Sequence, residues 1–214
     1  MLSESLKSIW TDKVSSTEIK KVNINDISRS GFGAAYSLMS ESRRKKCDAL
    51  KREEDKKLCI AADMLLRSTV SAHTGLNEAL LEFSLTETGK PFLAGNELYF
   101  SVSHSGEIAA VAVNKSSPVG IDVEKIIPVK ARIAGRVFSE AEISFVFGDN
   151  KIPAGLIEDR GVLERFFRVW TYKEAFVKMT GEGITDDIVN VRYDAKNCIC
   201  EISDGYCLTV VTKE

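Results

Sequence analysis

Apolar residues recur at helical spacing in two long stretches of the chain and alternate with polar residues in several short ones. Between residues 163 and 179, Leu163, Phe166, Phe167, Trp170 and Val177 form a broad apolar stripe. That spacing predicts a helix with this face in a core and Trp170 buried. Gly181 and Gly183 stand where such a helix would stop. A second long helix is predicted over residues 53–72, where Leu58, Ala62, Leu65 and Thr69 repeat one turn apart and Gly75 supplies the stop. Ser40 is a candidate N-cap for a shorter helix, and Ser139 with Glu142 has the spacing of a capping box for another.

Alternation marks the strands. Val119, Ile121 and Val123 alternate with Gly120, Asp122 and Glu124, the pattern of a half-buried strand. Leu98, Phe100 and Val102 alternate up to a turn at residues 103–106, and residues 108–113 run back. Val22 and Ile24 predict an early strand, with residues 26–31 as the turn after it. Residues 188–211 predict three short strands, with turns near residues 195–196 and 204–205. Gly89 and Pro91 mark a turn around Lys90, and residues 148–155 read as a loop.

A length of 214 residues suits one large domain or two small lobes, and 44% hydrophobic with 28% charged residues is ordinary for a globular protein. The formal net charge of −2 argues against a general nucleic-acid binder. No apolar run is long enough to span a bilayer, and the first ten residues lack the pattern of a secretion signal, so a cytoplasmic protein is expected. Five cysteines (Cys47, Cys59, Cys198, Cys200 and Cys207) form no C-x-x-C pair, and with two histidines they make a zinc site an unfavourable reading. Cys198 and Cys200 share one face of a predicted strand and are expected to be small buried hydrophobes.

Candidate chemistry lies on the helix of residues 163–179 and on the acidic strand. Trp170, Glu174 and Lys178 are spaced by four and line one side of the helix, whereas Asp122 and Glu124 project from one face of the strand. Two like charges this close repel each other, and a divalent cation relieves them. Mg²⁺ takes oxygen ligands, so Asp122, Glu124 and Glu174 would make such a site if helix met strand. The alternatives are a surface Glu–Lys pair and a solvated acidic strand end. The basic run from Arg43 to Lys46 is either a solvated helix face, partly neutralised by Glu53, Glu54 and Asp55, or a phosphate site at a helix end.

The segment Gly120-Ile-Asp-Val-Glu124 followed by Trp170-Thr-Tyr-Lys-Glu-Ala-Phe-Val-Lys178 resembles the paired signature of the 4'-phosphopantetheinyl transferase superfamily. The chain length resembles the two-lobed Sfp-type branch, and the resemblance runs over residues 40–184. It implies an α+β fold of two similar lobes in one chain, a pseudo-dimer with the active site at the lobe interface. The lobes would be residues 1–114, contacting the phosphates and adenine of coenzyme A, and residues 115–214, carrying the Mg²⁺-binding and catalytic motifs.

The resemblance further implies transfer of 4'-phosphopantetheine from coenzyme A to a serine of an apo acyl or peptidyl carrier protein, leaving 3',5'-ADP. Such a reaction serves fatty-acid or secondary-metabolite biosynthesis. Asp122, Glu124 and Glu174 would hold Mg²⁺, Glu174 or a water it orients would accept the serine proton, and Lys178 would neutralise phosphate charge. Ser40-Glu-Ser-Arg-Arg-Lys-Lys-Cys47 resembles a segment whose basic residues hold the 3'-phosphate, giving that role to Arg43 and Lys46. Leu58 and Cys59 stand where the family often has Arg and then Ser or Thr in that grip. Arg67 matches a family Arg of open role. The Gly89-Lys90-Pro91 segment is similar to one lying against adenine, which makes Lys90 a binding candidate. Ser103 and His104 match a motif that contacts coenzyme A phosphates. The resemblance implies a monomer, with no nucleic-acid or membrane partner. A Mg²⁺-dependent nucleotide pyrophosphatase and a non-catalytic module binding coenzyme A or a carrier protein are the competing functions.

Overall fold

Two long helices, each lying on an antiparallel sheet, organise the chain. The computed structural model describes residues 10–14, 16–95, 98–181 and 186–213, and Gly183 and Ile184 lie outside them. Packing divides the chain into two compact units, with the break between Pro118 and Val119.

In the first unit, β1 (Trp10–Val14) and β2 (Thr17–Asn23) form a hairpin. After a short 3-10 turn come α1 (Arg29–Leu38), α2 (Glu41–Asp48) and α3 (Glu53–Thr74). A small hairpin of β3 (Phe83–Leu85) and β4 (Pro91–Leu93) follows, then β5 (Tyr99–Ser105) and β6 (Ile108–Asn114). The sheet order is β1-β2-β6-β5, antiparallel throughout. Helix α3 crosses β6, β5 and β2. Its Leu58, Ala61, Ala62, Leu65 and Leu66 pack there with Val22, Phe100, Val111 and Val113. Each large aliphatic side chain so buried stabilises the unit by about 1.5–3 kcal/mol against exposure.

The helix ends follow local chemistry. Ser40 Oγ accepts from the Arg43 backbone N–H at 3.3 Å, and Gly75 ends α3 in the left-handed conformation at φ 73°. Residues 29–31, expected as part of a turn, instead open α1, with Ser28 as N-cap. Gly31 and Gly33 disfavour helix by intrinsic propensity, but Phe32 and Ala35 pack into the core beside α3, and burial outweighs propensity.

The second unit starts with β7 (Val119–Lys125), then β8 (Val129–Lys130), α4 (Ala134–Val137), α5 (Glu140–Phe147), β9 (Leu156–Ile157) and α6 (Arg160–Thr180). It closes with the hairpin of β10 (Ile199–Ser203) and β11 (Tyr206–Thr212). The sheet order is β10-β11-β7, and α6 lies on β7 and β11. Asp204 at φ 51° and Gly205 at φ 79° make the hairpin turn, both residues in the left-handed region that two-residue hairpins favour. The α5 capping box is complete: Ser139 Oγ accepts from Glu142 N and Glu142 Oε2 accepts from Ser139 N. Strand β7 is buried on both faces from Val119 to Val123, whereas alternation alone predicts one.

Only two strands form in the stretch where three are expected: residues 186–190 are a 3-10 turn. Its shape is set by Lys173, whose ammonium is buried beside it. Lys173 Nζ donates to the carbonyls of Ile188 at 3.0 Å and Val191 at 2.6 Å, and pairs with Glu142 Oε2 at 3.0 Å. Glu142 Oε1 in turn accepts from Tyr193 N at 2.8 Å. Burial pushes the Lys173 pKa down, and the Glu142 carboxylate counters it. A backbone that converges on one ammonium in this way is unavailable for strand pairing.

Two side-chain placements also differ from the expectation. Trp170 is half-buried, stacked on Phe166 with ring centroids 6.1 Å apart. Cys198 and Cys200 are half-buried while Cys207 is fully enclosed, because α6 lies over β11 and β7 whereas Cys198 and Cys200 lie at and just before the edge strand β10.

Candidate functional site

In the second unit the site begins with a glycine. A Cβ added to Gly120 would lie 1.8 Å from the Ala175 carbonyl oxygen and 2.6 Å from the Met179 backbone nitrogen. Only a residue without a side chain lets the α6 backbone rest directly on β7. That close approach sets the next residues of each element against one another: Asp122 and Glu124 from the strand, Glu174 and Lys178 from the helix.

Asp122 is 3% exposed, and its Oδ1 accepts from Lys178 Nζ at 2.6 Å. The Lys178 side chain remains about a third exposed. Glu174 is half-buried and its pKa is raised, first by burial and next by the Asp122 carboxylate; Lys178 opposes the rise, and Glu124 adds to it. Asp122, Glu124 and Glu174 are therefore close enough to feel one another's charge, with one ammonium among them.

The donor chemistry fits a hard divalent cation, since the set is all oxygen and its three carboxylates outweigh the single ammonium. Among the described residues, no group of three His, Cys, Asp or Glu side chains is gathered tightly enough to hold an ion as it stands. Lys178 is the cation that Asp122 holds in this structure.

The raised pKa carries a stability consequence. Folded Glu174 holds a proton at a pH where the unfolded residue has released it, so its contribution to stability falls as pH rises through that window. Glu174→Gln removes the penalty. The metal-free variant should melt above wild type at pH 7, with the gap closing as pH falls below the unfolded carboxyl pKa. A variant melting below wild type at pH 7 would contradict this charge arrangement.

In the first unit, α2, α3, the β3–β4 hairpin and β5 enclose a cavity of about 280 Å³. Arg43 and Lys46 line it from α2, Asp63 and Arg67 from α3, and His104 from β5. His104 is exposed. Ser103 is buried on the opposite face of β5 and does not line the cavity, because neighbouring strand residues alternate sides. Gly89 and Pro91 line the cavity on either side of Lys90, whose own side chain is half-buried, with its pKa pushed down by burial. Leu58 and Cys59 face the core, at 5% and 6% exposure, so neither position contributes to the cavity wall.

Sequence reasoning missed Asp63 and the role of Gly120. Asp63 and Arg67 lie four apart within an otherwise apolar stretch of α3, a local sign of a buried ion pair. For Gly120 the sign was a glycine inside a strand pattern, which marks close approach of another backbone.

The family model described as 4'-phosphopantetheinyl transferase superfamily matches residues 118–204, and the one described as 4'-phosphopantetheinyl transferase, N-terminal, matches residues 26–116. A 4'-phosphopantetheinyl transferase of Bacillus subtilis is 34% identical over 172 residues, covering 78% of this chain and 73% of the relative. This chain belongs to the 4'-phosphopantetheinyl transferase superfamily. It is similar to 4'-phosphopantetheinyl transferase Sfp of Bacillus subtilis (strain 168), with 33% identity over 150 residues, 70% of this chain and 63% of the relative. It is also similar to 4'-phosphopantetheinyl transferase HetI of Nostoc sp., with 34% identity over 126 residues, 56% of this chain and 50% of the relative. The matched stretches thus span between half and three quarters of these relatives' lengths. Among the described residues, no helix is long and apolar enough to cross a membrane.

Proposed function

We propose that this chain transfers the 4'-phosphopantetheine group of coenzyme A to a serine of an apo acyl or peptidyl carrier protein, releasing 3',5'-ADP. The observation that carries this reading is the meeting of Asp122, Glu124, Glu174 and Lys178 across the Gly120 contact. Phosphoryl transfer asks an enzyme for positioning and charge neutralisation more than for a nucleophile of its own. This face supplies both kinds of group and contains no serine or cysteine attacker among the four.

In this reading Asp122, Glu124 and Glu174 hold Mg²⁺, which when bound would neutralise the pyrophosphate of coenzyme A. Glu174, or a water it orients, accepts the proton of the carrier serine. Lys178 neutralises the negative charge that develops on the phosphate oxygens as the bond to the leaving nucleotide breaks. Arg43, Lys46 and His104 hold phosphate groups of coenzyme A in the first unit, and the turn around Lys90 meets the adenine. Residues 1–114 thus bind the nucleotide and residues 115–214 carry the metal and proton-transfer groups.

We take the protein to act as a monomer in the cytoplasm, a compartment that suits five free cysteines. The reading is tested by following 3',5'-ADP in a mixture of the protein, coenzyme A and Mg²⁺. Release that requires an apo carrier protein supports transfer, whereas equal release without a carrier identifies a pyrophosphatase instead.

A further inference from the structure

Asp63 is a carboxylate at 5% exposure in the wall of a cavity otherwise supplied with basic groups. An ionised acid in an anion site is unfavourable unless it is compensated. The compensation is Arg67, whose Nε lies 2.7 Å from Asp63 Oδ2. Arg67 is itself 3% exposed and committed to the protein. Its Nη1 donates to the carbonyls of Glu78 at 3.0 Å and Leu81 at 2.9 Å, and its guanidinium stands 5.4 Å from the Phe83 ring centre. Asp63 is thereby held at a fixed point on α3, with its charge balanced.

The second oxygen of Asp63 faces another element. Oδ1 lies 3.7 Å from Nε of Arg43, which belongs to α2 and whose side chain is 39% exposed. That distance is an ion pair without a direct hydrogen bond. Nε is the guanidinium nitrogen nearest the chain, so an acid at Nε leaves the two terminal nitrogens as a fork for a ligand. Arg43 would otherwise be a long side chain with several rotamers to lose on binding, and a fixed counter-charge lowers that entropic cost.

We infer that Asp63 is a positioning residue that orients Arg43 toward the 3'-phosphate of the nucleotide, an inference that rests on the proposed use of coenzyme A. Asp63 does not touch the ligand in this account. It acts through Arg43, and Arg67, bonded to the protein through Nε and Nη1, anchors it. The chemical group recognised is a phosphate monoester at the 3' position of the ribose, so the effect is confined to nucleotides that carry one there.

The test is calorimetric titration of the full chain with adenosine 3',5'-bisphosphate and, separately, adenosine 5'-monophosphate, without carrier protein. Wild type should prefer the bisphosphate. Asp63→Asn should cut that preference roughly tenfold while leaving affinity for the monophosphate unchanged. In an Arg43→Ala background, adding Asp63→Asn should change the preference no further, as for two residues acting through one contact. Because Asp63→Asn strands the buried Arg67 charge at a cost to folding, Asp63→Asn/Arg67→Gln removes both charges and should lose the preference to the same degree.

A merely structural role would weaken both nucleotides equally, and that outcome overturns the inference. So does a wild-type preference that survives in both variants. A wild-type protein with no preference for the bisphosphate would overturn the reading of the cavity itself, and this inference with it.

Discussion

Asp122→Ala is expected to lower phosphopantetheine transfer roughly a thousandfold and to leave the fold in place. The loss follows from the position of Asp122 at the centre of the charged face, where its carboxylate pairs with Lys178 and raises the pKa of Glu174. Without it, Lys178 loses the partner that fixes its ammonium, and two carboxylates remain for the cation instead of three. The fold should survive because the Lys178 side chain is about a third exposed, so the released ammonium can be solvated. Lys173 differs sharply, since its ammonium is buried and would be stranded by loss of Glu142. The rate of carrier modification and a thermal melt, measured on the same preparation, check both halves. A variant that melts like wild type and transfers at the wild-type rate would remove Asp122 from the mechanism.

Gly120→Ala is expected to destabilise the protein by at least about 3 kcal/mol, beyond the ordinary range for an added core methyl. The new Cβ would meet backbone atoms of α6, the Ala175 oxygen at 1.8 Å and the Met179 nitrogen at 2.6 Å. Hydrogen-bonded helix backbone cannot turn aside as the tip of a side chain can, so α6 must lift from β7. For a chain of this length such a loss lowers the melting temperature by roughly 10 °C. Lifting α6 also separates Glu174 and Lys178 from Asp122 and Glu124, so transfer should fall even at temperatures where the variant is folded. An unchanged melting temperature would mean that helix and strand do not meet at this glycine.

The parts of the fold that were legible in the sequence are those encoded locally. Ser40 and the Ser139–Glu142 box cap the helices they precede, and Gly75 and Gly181 end the two long helices in left-handed conformations. The Asp204–Gly205 turn and the β5–β6 hairpin follow from turn residues between alternating runs. What escaped is encoded by contacts between distant residues. Helix α1 carries Gly31 and Gly33, and it forms because Phe32 and Ala35 find a core that sequence periodicity does not display. The 3-10 turn at residues 186–190 follows from the arrival of the Lys173 ammonium among its carbonyls.

The candidate site divides in the same way. Motif spacing singled out Asp122, Glu124, Glu174 and Lys178, and strand and helix periodicity explain why each pair shares a face. Periodicity could not state that Lys178 would rest on Asp122, nor that Gly120 would bring the two faces together. In the first unit the basic run pointed to Arg43 and Lys46, while the buried acid between Arg43 and Arg67 was hidden within an apolar helix stripe. Ser103 and His104 are neighbours in sequence, yet β5 turns them to opposite sides.

The central claim is transfer to a carrier protein, and the most direct measurement is the intact mass of a purified apo carrier after incubation with this protein, coenzyme A and Mg²⁺. The account predicts a mass gain of one phosphopantetheine group, abolished by EDTA. No gain on fatty-acid, polyketide or peptide-synthetase carriers, with coenzyme A still bound by the protein, would contradict it and leave a binding module in its place.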